Sequence, residues 1–181
     1  MRCGWVDEKC DIYIRYHDKE WGVPVHDDRK LFEMLVLEGF QAGLSWLTVL
    51  KKRQAFQQEF ANFVPQKVAG FDNEKIERLT RNKDIIRNRS KICAAVNNAG
   101  IFLQIQKEFG SFDKYLWRFV NNEPQRYNIF PCPTHNKLSD TISADLKKRG
   151  MKYVGSVIIY SYLQAVGLIN DHEPQCFCNG I

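Results

Sequence analysis

The sequence predicts an all-α protein, and three observations carry the prediction. Apolar residues recur at helical spacing along most of the 181 residues, and no run alternates with period two over the length of a strand. Residues that cap helices, among them Asp27 or Asp28, Ser45 and Ser111, stand where those periodic stretches begin. Glycine and proline gather between the stretches, at Gly39 to Gly43, at Pro124, Pro131 and Pro133, and at Gly150.

Taken in order, the first helix runs from Asp27 or Asp28 to Leu37, with Leu31, Phe32, Leu35 and Val36 on one face. Gly39 and Gly43 bracket a break, after which Ser45 caps a helix that turns Trp46, Val49, Leu50 and Phe56 inward. Further helices are expected from Asn73 to Arg81 and from Arg89 to Phe109. Ser111 caps one containing Leu116, Trp117 and Val120, and the proline-bearing stretch from Asn121 to Asn136 reads as a loop. A helix from about Ser139 stops at Gly150, and the last helix spans Ser156 to about Val166.

Composition narrows the class. Apolar content of 44%, with 13% aromatic, excludes a disordered chain, and the length suffices to bury a core without staples. The longest apolar candidate, Val157 to Ile169, is interrupted by Ser161, Gln164 and Gly167 and falls short of the roughly 18 residues of a membrane span. The opening Met-Arg-Cys-Gly-Trp has no apolar signal-peptide region, so a soluble cytoplasmic protein is expected. No repeat, low-complexity segment or linker divides the chain, and residues 1–181 are expected to form one two-lobed unit. The net charge of +5 is unevenly placed, with −1 over residues 1–80 and +6 over residues 81–181. A basic later half points weakly to an anionic partner.

Residues 139–167 outline a helix-hairpin-helix: a helix, Gly150, a few residues, Gly155, and a second helix. Glycines allow a tight turn and close approach to another molecule. The second helix then offers unpaired N–H groups and the positive end of its dipole to a phosphate. Lys147, Lys148, Arg149 and Lys152 around the turn add attraction to a DNA backbone. The same pattern also describes an ordinary helical corner with a solvated basic face.

Cys3, His17, His172 and Cys176 could form a tetrahedral zinc site, and His172 and Cys176 are spaced for a single turn. Such an ion would clip residues 1–17 to residues 170–178, two ends that otherwise tend to fray. Cys178 is an alternative ligand, and Cys10 could replace Cys3. Free thiols with surface histidines, or a disulfide between the ends, compete with this reading, and a reducing cytoplasm disfavours the disulfide. Cys93 falls in an apolar helical stretch and reads as core, whereas His26 and His135 read as surface residues.

The first fifty residues hold Trp5, Tyr13, Tyr16, Trp21 and Trp46, with Glu38 at the end of an apolar helix. Separately, these read as core aromatics and a solvated carboxylate. Together they could hold a flat cation stacked between Trp46 and Tyr16 and hydrogen-bonded to Glu38. An extruded, alkylated nucleobase fits that description.

Longer motifs then carry a family resemblance over essentially the whole chain. They are Arg2-Cys3-Gly4-Trp5, Tyr13-Ile14-x-Tyr16-His17-Asp18-x-Glu20-Trp21-Gly22-Val23-Pro24, Leu31-Phe32-Glu33-Met34 and Leu37-Glu38-Gly39-x-Gln41-Ala42-Gly43-Leu44-Ser45-Trp46. Later come Leu146-Lys147-Lys148-Arg149-Gly150-x-Lys152-x-Val154-Gly155 and Gly167-Leu168-x-Asn170-Asp171-His172. The sequence resembles the 3-methyladenine DNA glycosylase I family of bacterial base-excision repair enzymes.

The resemblance implies the helix-hairpin-helix glycosylase fold with one structural Zn2+ held by Cys3, His17, His172 and Cys176. It places Glu38 at the base-recognition carboxylate, Tyr16 and Trp46 at the pocket aromatics, and Tyr13 and Trp5 beside them. Gln41, Gly43 and Leu44 fall in the segment that enters the gap left by a flipped base. The hairpin residues Lys147, Arg149, Gly150, Lys152, Gly155 and Ser156 are expected at the DNA backbone. The loop around Asn128 to His135 departs from the family's pattern.

The implied activity is monofunctional hydrolysis of the N-glycosidic bond of 3-methyladenine. That base is already cationic in DNA, so its departure needs no protonation. The implied partner is double-stranded DNA with alkylated bases, met by a monomer at the nucleoid. Asp171 is expected to be structural, and no lysine stands out as a Schiff-base nucleophile. A non-enzymatic DNA-binding module with a zinc staple would explain the basic half and the ends, but not Glu38 among aromatics. Release of free 3-methyladenine separates the two.

Overall fold

The computed structural model describes residues 1–127 and 129–180; Asn128, in the loop set apart above, and Ile181 lie outside the described residues. Among the described residues the chain forms α1 (Asp11–Lys19), α2 (Asp28–Gln41), α3 (Trp46–Glu59), α4 (Pro65–Ala69), α5 (Asn73–Arg81), α6 (Arg89–Phe109), α7 (Phe112–Trp117), α8 (Lys137–Lys148) and α9 (Ser156–Ala165). Two short 3-10 turns, Ala61–Phe63 and Arg118–Val120, complete them. There is no strand among the described residues, only an isolated bridge between Gln125 and Ile169. The all-α expectation holds, and no helix is long and apolar enough to cross a membrane.

α2 is the central element. Every residue from Leu31 to Glu38 is buried, and the helix packs against α3, α6, α7 and α9. A helix apolar nearly all round must be enclosed in this way. Its first residue, Asp28, accepts from the backbone N–H groups of Phe112 and Asp113 at 2.8 and 2.7 Å, so one carboxylate also caps α7. Asp27, Ser45, Asp72, Asn88, Ser111 and Asn136 cap α2, α3, α5, α6, α7 and α8 through their side chains.

Two boundaries and two helices differ from the expectation. α2 continues through Gly39, which lies against Tyr153, to Gln41, and Lys91 of α6 takes the carbonyls of Phe40 and Ala42 at its end. α8 begins at Lys137 rather than Ser139, which serves instead as the third residue of a capping box with Asn136. α1 and α4 have no counterpart in the periodicity. α1 starts at Cys10 without a side-chain cap and is rich in β-branched and aromatic residues of modest helix propensity.

Gly167 decides how the N-terminal segment lies on the rest. It has φ +73°, and a Cβ there would fall 2.3 Å from the carbonyl carbon of Val23. That contact lets Gly22 and Val25 donate to the carbonyls of Gln164 and Val166 at 2.9 and 3.1 Å. The end of α1 is thereby laid against the chain that follows α9.

Candidate functional site

The packing of residues 1–25 over α2, α9 and the C-terminal segment encloses a cavity of about 510 Å³. Trp5, Tyr13, Tyr16, Trp21 and Trp46 form its aromatic wall, Glu38 and Gln41 come from α2, and Ser161 and Gln164 come from α9. Phe130 to Cys132, Asp171, and Glu173 to Gln175 complete it. The four aromatics expected at the site, Tyr16, Trp46, Tyr13 and Trp5, therefore meet in one place with Glu38, and Trp21 joins them. Cys132, Gln164 and the C-terminal residues carried no sequence signal, since their role depends on which segments fold together.

Glu38 is 4% exposed and has no hydrogen-bond partner among the described residues. Burial alone pushes its carboxyl up to about 8. Tyr16 is buried beside it, and its phenol is held well above the ordinary range by burial and then by the Glu38 charge. The Trp46 indole N–H adjoins that phenol without hydrogen-bond alignment, and among the described residues it is the one side-chain polar atom fully closed off from solvent that has no partner, whereas the Glu38 carboxyl borders the cavity. Tyr16 and Trp46 touch each other, with centroids 5.4 Å apart and planes at 56°. A base sandwiched between two rings needs roughly 7 Å, two contacts of about 3.5 Å. The pair thus forms a corner rather than a slot.

Asp171 lines the same cavity, buried, and one of its oxygens accepts from Tyr160 Oη at 2.6 Å and Gln164 Nε2 at 2.8 Å. The carboxylate raises the Tyr160 phenol, after burial, and holds the Gln164 amide in place.

On the other side of α1, Cys3, His17, His172 and Cys176 are all buried, with one potential ligand atom from each lying within 4.8 Å of the others. Cys3 Sγ is 3.4 Å from His172 Nδ1, and Cys176 Sγ is 3.4 Å from His17 Nε2. The outer nitrogens are fixed: His172 Nε2 donates to the Trp21 carbonyl at 3.0 Å, and His17 Nδ1 to Asp18 at 2.7 Å. Arg2 in turn grips Asp18 through two nitrogens and holds that carboxyl below its usual range. Backbone N–H groups of Glu173 and Cys178 donate to the two sulfurs, each at 3.4 Å. Burial pushes the Cys3 thiol up to about 12, which a bound cation would reverse. Two sulfurs and two oriented imidazole nitrogens, converging in a tetrad, fit Zn2+ well. Cys10 takes no part, and Cys178 groups only with His17 and Asp18. Cys93 is half-buried against the core, while His26 and His135 are exposed as expected.

The turn between α8 and α9 has Gly150 at φ +97° and buries Met151 and Val154 beneath it. Gly150, Lys147, Lys148 and Lys152 are exposed, and those three lysines make no ion pair among the described residues. Arg149 differs: it binds Glu108 through two nitrogens and Asp145 at 2.8 Å, and lies over the rings of Phe109 and Tyr115. Its charge is paired at the surface, with Asp145 one turn earlier on the helix it closes. Gly155 caps α9, and the Ser156 hydroxyl is bound to Asp140 and Ser139. At the end of α2, Gly43 (φ +80°) makes a tight turn that leaves Leu44 39% exposed. Gln41 Nε2 braces it by donating to the Leu44 carbonyl at 2.7 Å.

Comparison with known proteins agrees over the full length. The chain is 49% identical over 180 residues to DNA-3-methyladenine glycosylase 1 of Escherichia coli strain K12, covering 98% of this chain and 96% of that one. A crystal structure of 3-methyladenine DNA glycosylase I superposes with a TM-score of 0.94 at 48% identity, covering 98% of this chain and 99% of the other. A variant of 3-methyladenine DNA glycosylase I, crystallised in complex with 3-methyladenine, gives 0.91 at 39% identity over 94% of each chain. The profile of the methyladenine glycosylases matches residues 5–179, and the chain belongs to that family.

Proposed function

We propose that this protein is a monofunctional DNA glycosylase that hydrolyses the N-glycosidic bond of 3-methyladenine in alkylated double-stranded DNA. The observation that carries the reading is Glu38: a buried carboxyl, without a protein partner, facing an aromatic cavity in a member of this family. The relative crystallised with 3-methyladenine supports the choice of base.

The base is taken out of the stack, since its glycosidic bond cannot be reached inside the duplex. It enters the cavity, rests against Tyr16 and Trp46, and is bordered by Tyr13 and Trp5. Glu38 hydrogen-bonds the adenine edge, and the positive charge of the base favours the ionised carboxylate. The proton that burial keeps on Glu38 in the empty cavity is released as the cation binds. Heterolysis sends the bonding electrons onto the departing base, which leaves neutral. Water then adds to C1′ and loses a proton, so no acid is needed to protonate the base. No lysine lines the cavity among the described residues, which supports hydrolysis without a Schiff base.

The residues from α8 to α9 act as a helix-hairpin-helix on the phosphate backbone. Gly150, Gly155 and Ser156 supply the close approach and N–H groups, and Lys147 and Lys152 supply charge. Arg149 fastens the end of α8 behind them. Gln41, Gly43 and Leu44 enter the space left by the base, with exposed Leu44 as the apolar wedge. Cys3, His17, His172 and Cys176 would hold one Zn2+, joining residues 1–17 to 170–178. With four protein ligands such an ion would have no position for a catalytic water, and what it would supply is a structural cross-link. The protein acts as a monomer, a single two-lobed unit, on nucleoid DNA in the cytoplasm.

The test is release of free base from methylated DNA, with 7-methylguanine and hypoxanthine substrates run in competition. Release of 3-methyladenine above both is expected. DNA binding without any release reduces the protein to a binding module, and a borohydride-trapped covalent adduct overturns the monofunctional reaction.

A further inference from the structure

Lys91, on α6, is 7% exposed and lies outside both the cavity and the cysteine–histidine cluster. Its ammonium donates to the carbonyls of Phe40, at 2.8 Å, and Ala42. These carbonyls close α2, where the last turn of a helix leaves its acceptors unpaired and its dipole negative. Burying a lysine to satisfy them costs desolvation, and burial lowers its pKa. An ordinary glycine or water cap would close the helix without that cost. What Lys91 adds is a link to a second segment.

Seven residues along the same face of α6, buried Asn98 binds both backbone groups of Lys152, donating to its carbonyl at 2.8 Å and accepting from its N–H at 2.9 Å. Its neighbour Asn97 donates to the Gly150 carbonyl at 3.0 Å. Between the two attachments stands Tyr153, with φ +56°, its ring centroid 5.8 Å from Lys91 Nζ and its hydroxyl on Ser90. Tyr153 also packs against Gly39 of α2. One face of α6 thus carries both the end of α2 that leads into Gln41–Leu44 and the turn holding Gly150 and Lys152.

We propose that Lys91 is a positioning residue for base extrusion, tying the Leu44 turn to α6 so that it keeps a set distance from the turn at Gly150–Lys152. The inference rests on the reading of those two turns as the DNA-contacting segments. Phosphates held at one turn then place Leu44 opposite the base step it must fill. A loose Leu44 turn still allows the cavity to take a free base, but no longer holds the gapped duplex.

The test uses Lys91→Met, Leu44→Ala and the double variant of the full chain. Affinity is measured for a duplex bearing a stable abasic-site analogue, and separately for free 3-methyladenine. Lys91→Met is expected to weaken abasic-duplex binding about tenfold while leaving free-base binding within about twofold. In the Leu44→Ala background the same change is expected to cost less than about twofold, because the group being positioned is gone. Equal losses for free base and duplex, or losses that multiply in the double variant, overturn the proposal and leave Lys91 a structural cap. If Leu44→Ala weakens duplex binding and Lys91→Met does not, the coupling fails but the wedge stands. If Leu44→Ala itself has no effect, the wedge reading fails and the proposal with it. Lys91→Gln, which keeps a donor for one carbonyl, carries the same comparison at smaller amplitude where Lys91→Met does not fold.

Discussion

Tyr16 and His17 are adjacent on α1 and face two centres that treat polar groups in opposite ways. Around His17 every group is answered: both imidazoles have acceptors on their outer nitrogens, Asp18 has Arg2, and each sulfur receives a backbone N–H. Around Tyr16 two groups are left open, the Glu38 carboxyl and the Trp46 indole N–H. Buried polar groups without partners are costly, and a fold retains them where a ligand completes the set. The first arrangement suits a fastener and the second a binding site. The network of Arg53 with Glu33 and Glu20 below α1 is of the first kind, with Arg53 lowering the Glu33 carboxyl against its burial.

The largest break in this contrast comes from the cysteine–histidine centre. Purified protein is expected to carry one zinc per chain by elemental analysis. Cys176→Ser should lose the metal and lower Tm by about 10 °C or more, given that structural zinc contributes on the order of 10 kcal/mol in small domains and each kcal/mol corresponds to about 2–4 °C at this size. A metal-free protein whose Tm is unmoved by the substitution would show that protein contacts alone close the cluster.

Next is the stability cost of the open centre. The folded state holds Glu38 protonated up to about 8 against an ordinary 4.5, so it binds more protons than the unfolded chain between those values. This contribution is absent below about pH 4.5, grows unfavourable as pH rises from there towards 8, and levels off above that at roughly 5 kcal/mol. Carboxyls held low by ion pairs, such as Asp18 and Glu33, are ionised throughout that window and do not mask it. Glu38→Gln should therefore be more stable than the parent at pH 8 and nearly equal at pH 5. Parallel denaturation curves at the two pH values would mean that Glu38 is solvated.

The same substitution sharpens the contrast by activity. Losing one charge-assisted hydrogen bond should reduce kcat/KM for 3-methyladenine release by about 10- to 100-fold, with duplex affinity nearly unchanged. Equal rates for parent and variant would remove Glu38 from the site. The smallest effect is expected at Asp171, whose carboxylate is already engaged by Tyr160 and Gln164. Asp171→Asn should keep its metal and lose less than about threefold in excision, and a loss of several orders of magnitude would make Asp171 catalytic.

The boundaries that the sequence shows clearly are those with a local cause. Asn73 to Arg81 and Arg89 to Phe109 are found as expected, because their caps and apolar spacing lie within a few residues. α1 and the passage of α2 through Gly39 were not legible, because neither has a local cause: one is held by packing on α3, the other is closed by Lys91, some fifty residues later in the chain. Arg149 shows the limit from the other side. Beside a glycine turn it reads only as a cation for the DNA backbone, and its pairing with Glu108, forty-one residues away, shows only in the fold.

What the sequence determined by itself was chemistry and spacing: an all-helical chain, four soft or imidazole ligands near its ends, and a carboxylate among aromatics. Each follows from residue type and short-range order, which the chain carries however it folds. Tertiary structure decided which groups remained open. Whether a carboxyl is titrated near 4.5 or near 8, or a ring pair makes a slot or a corner, depends on what water is excluded and which distant segment arrives. Here that was settled by Gly167 admitting Val23, which lays α1 between the two centres and leaves Tyr16 facing one and His17 the other.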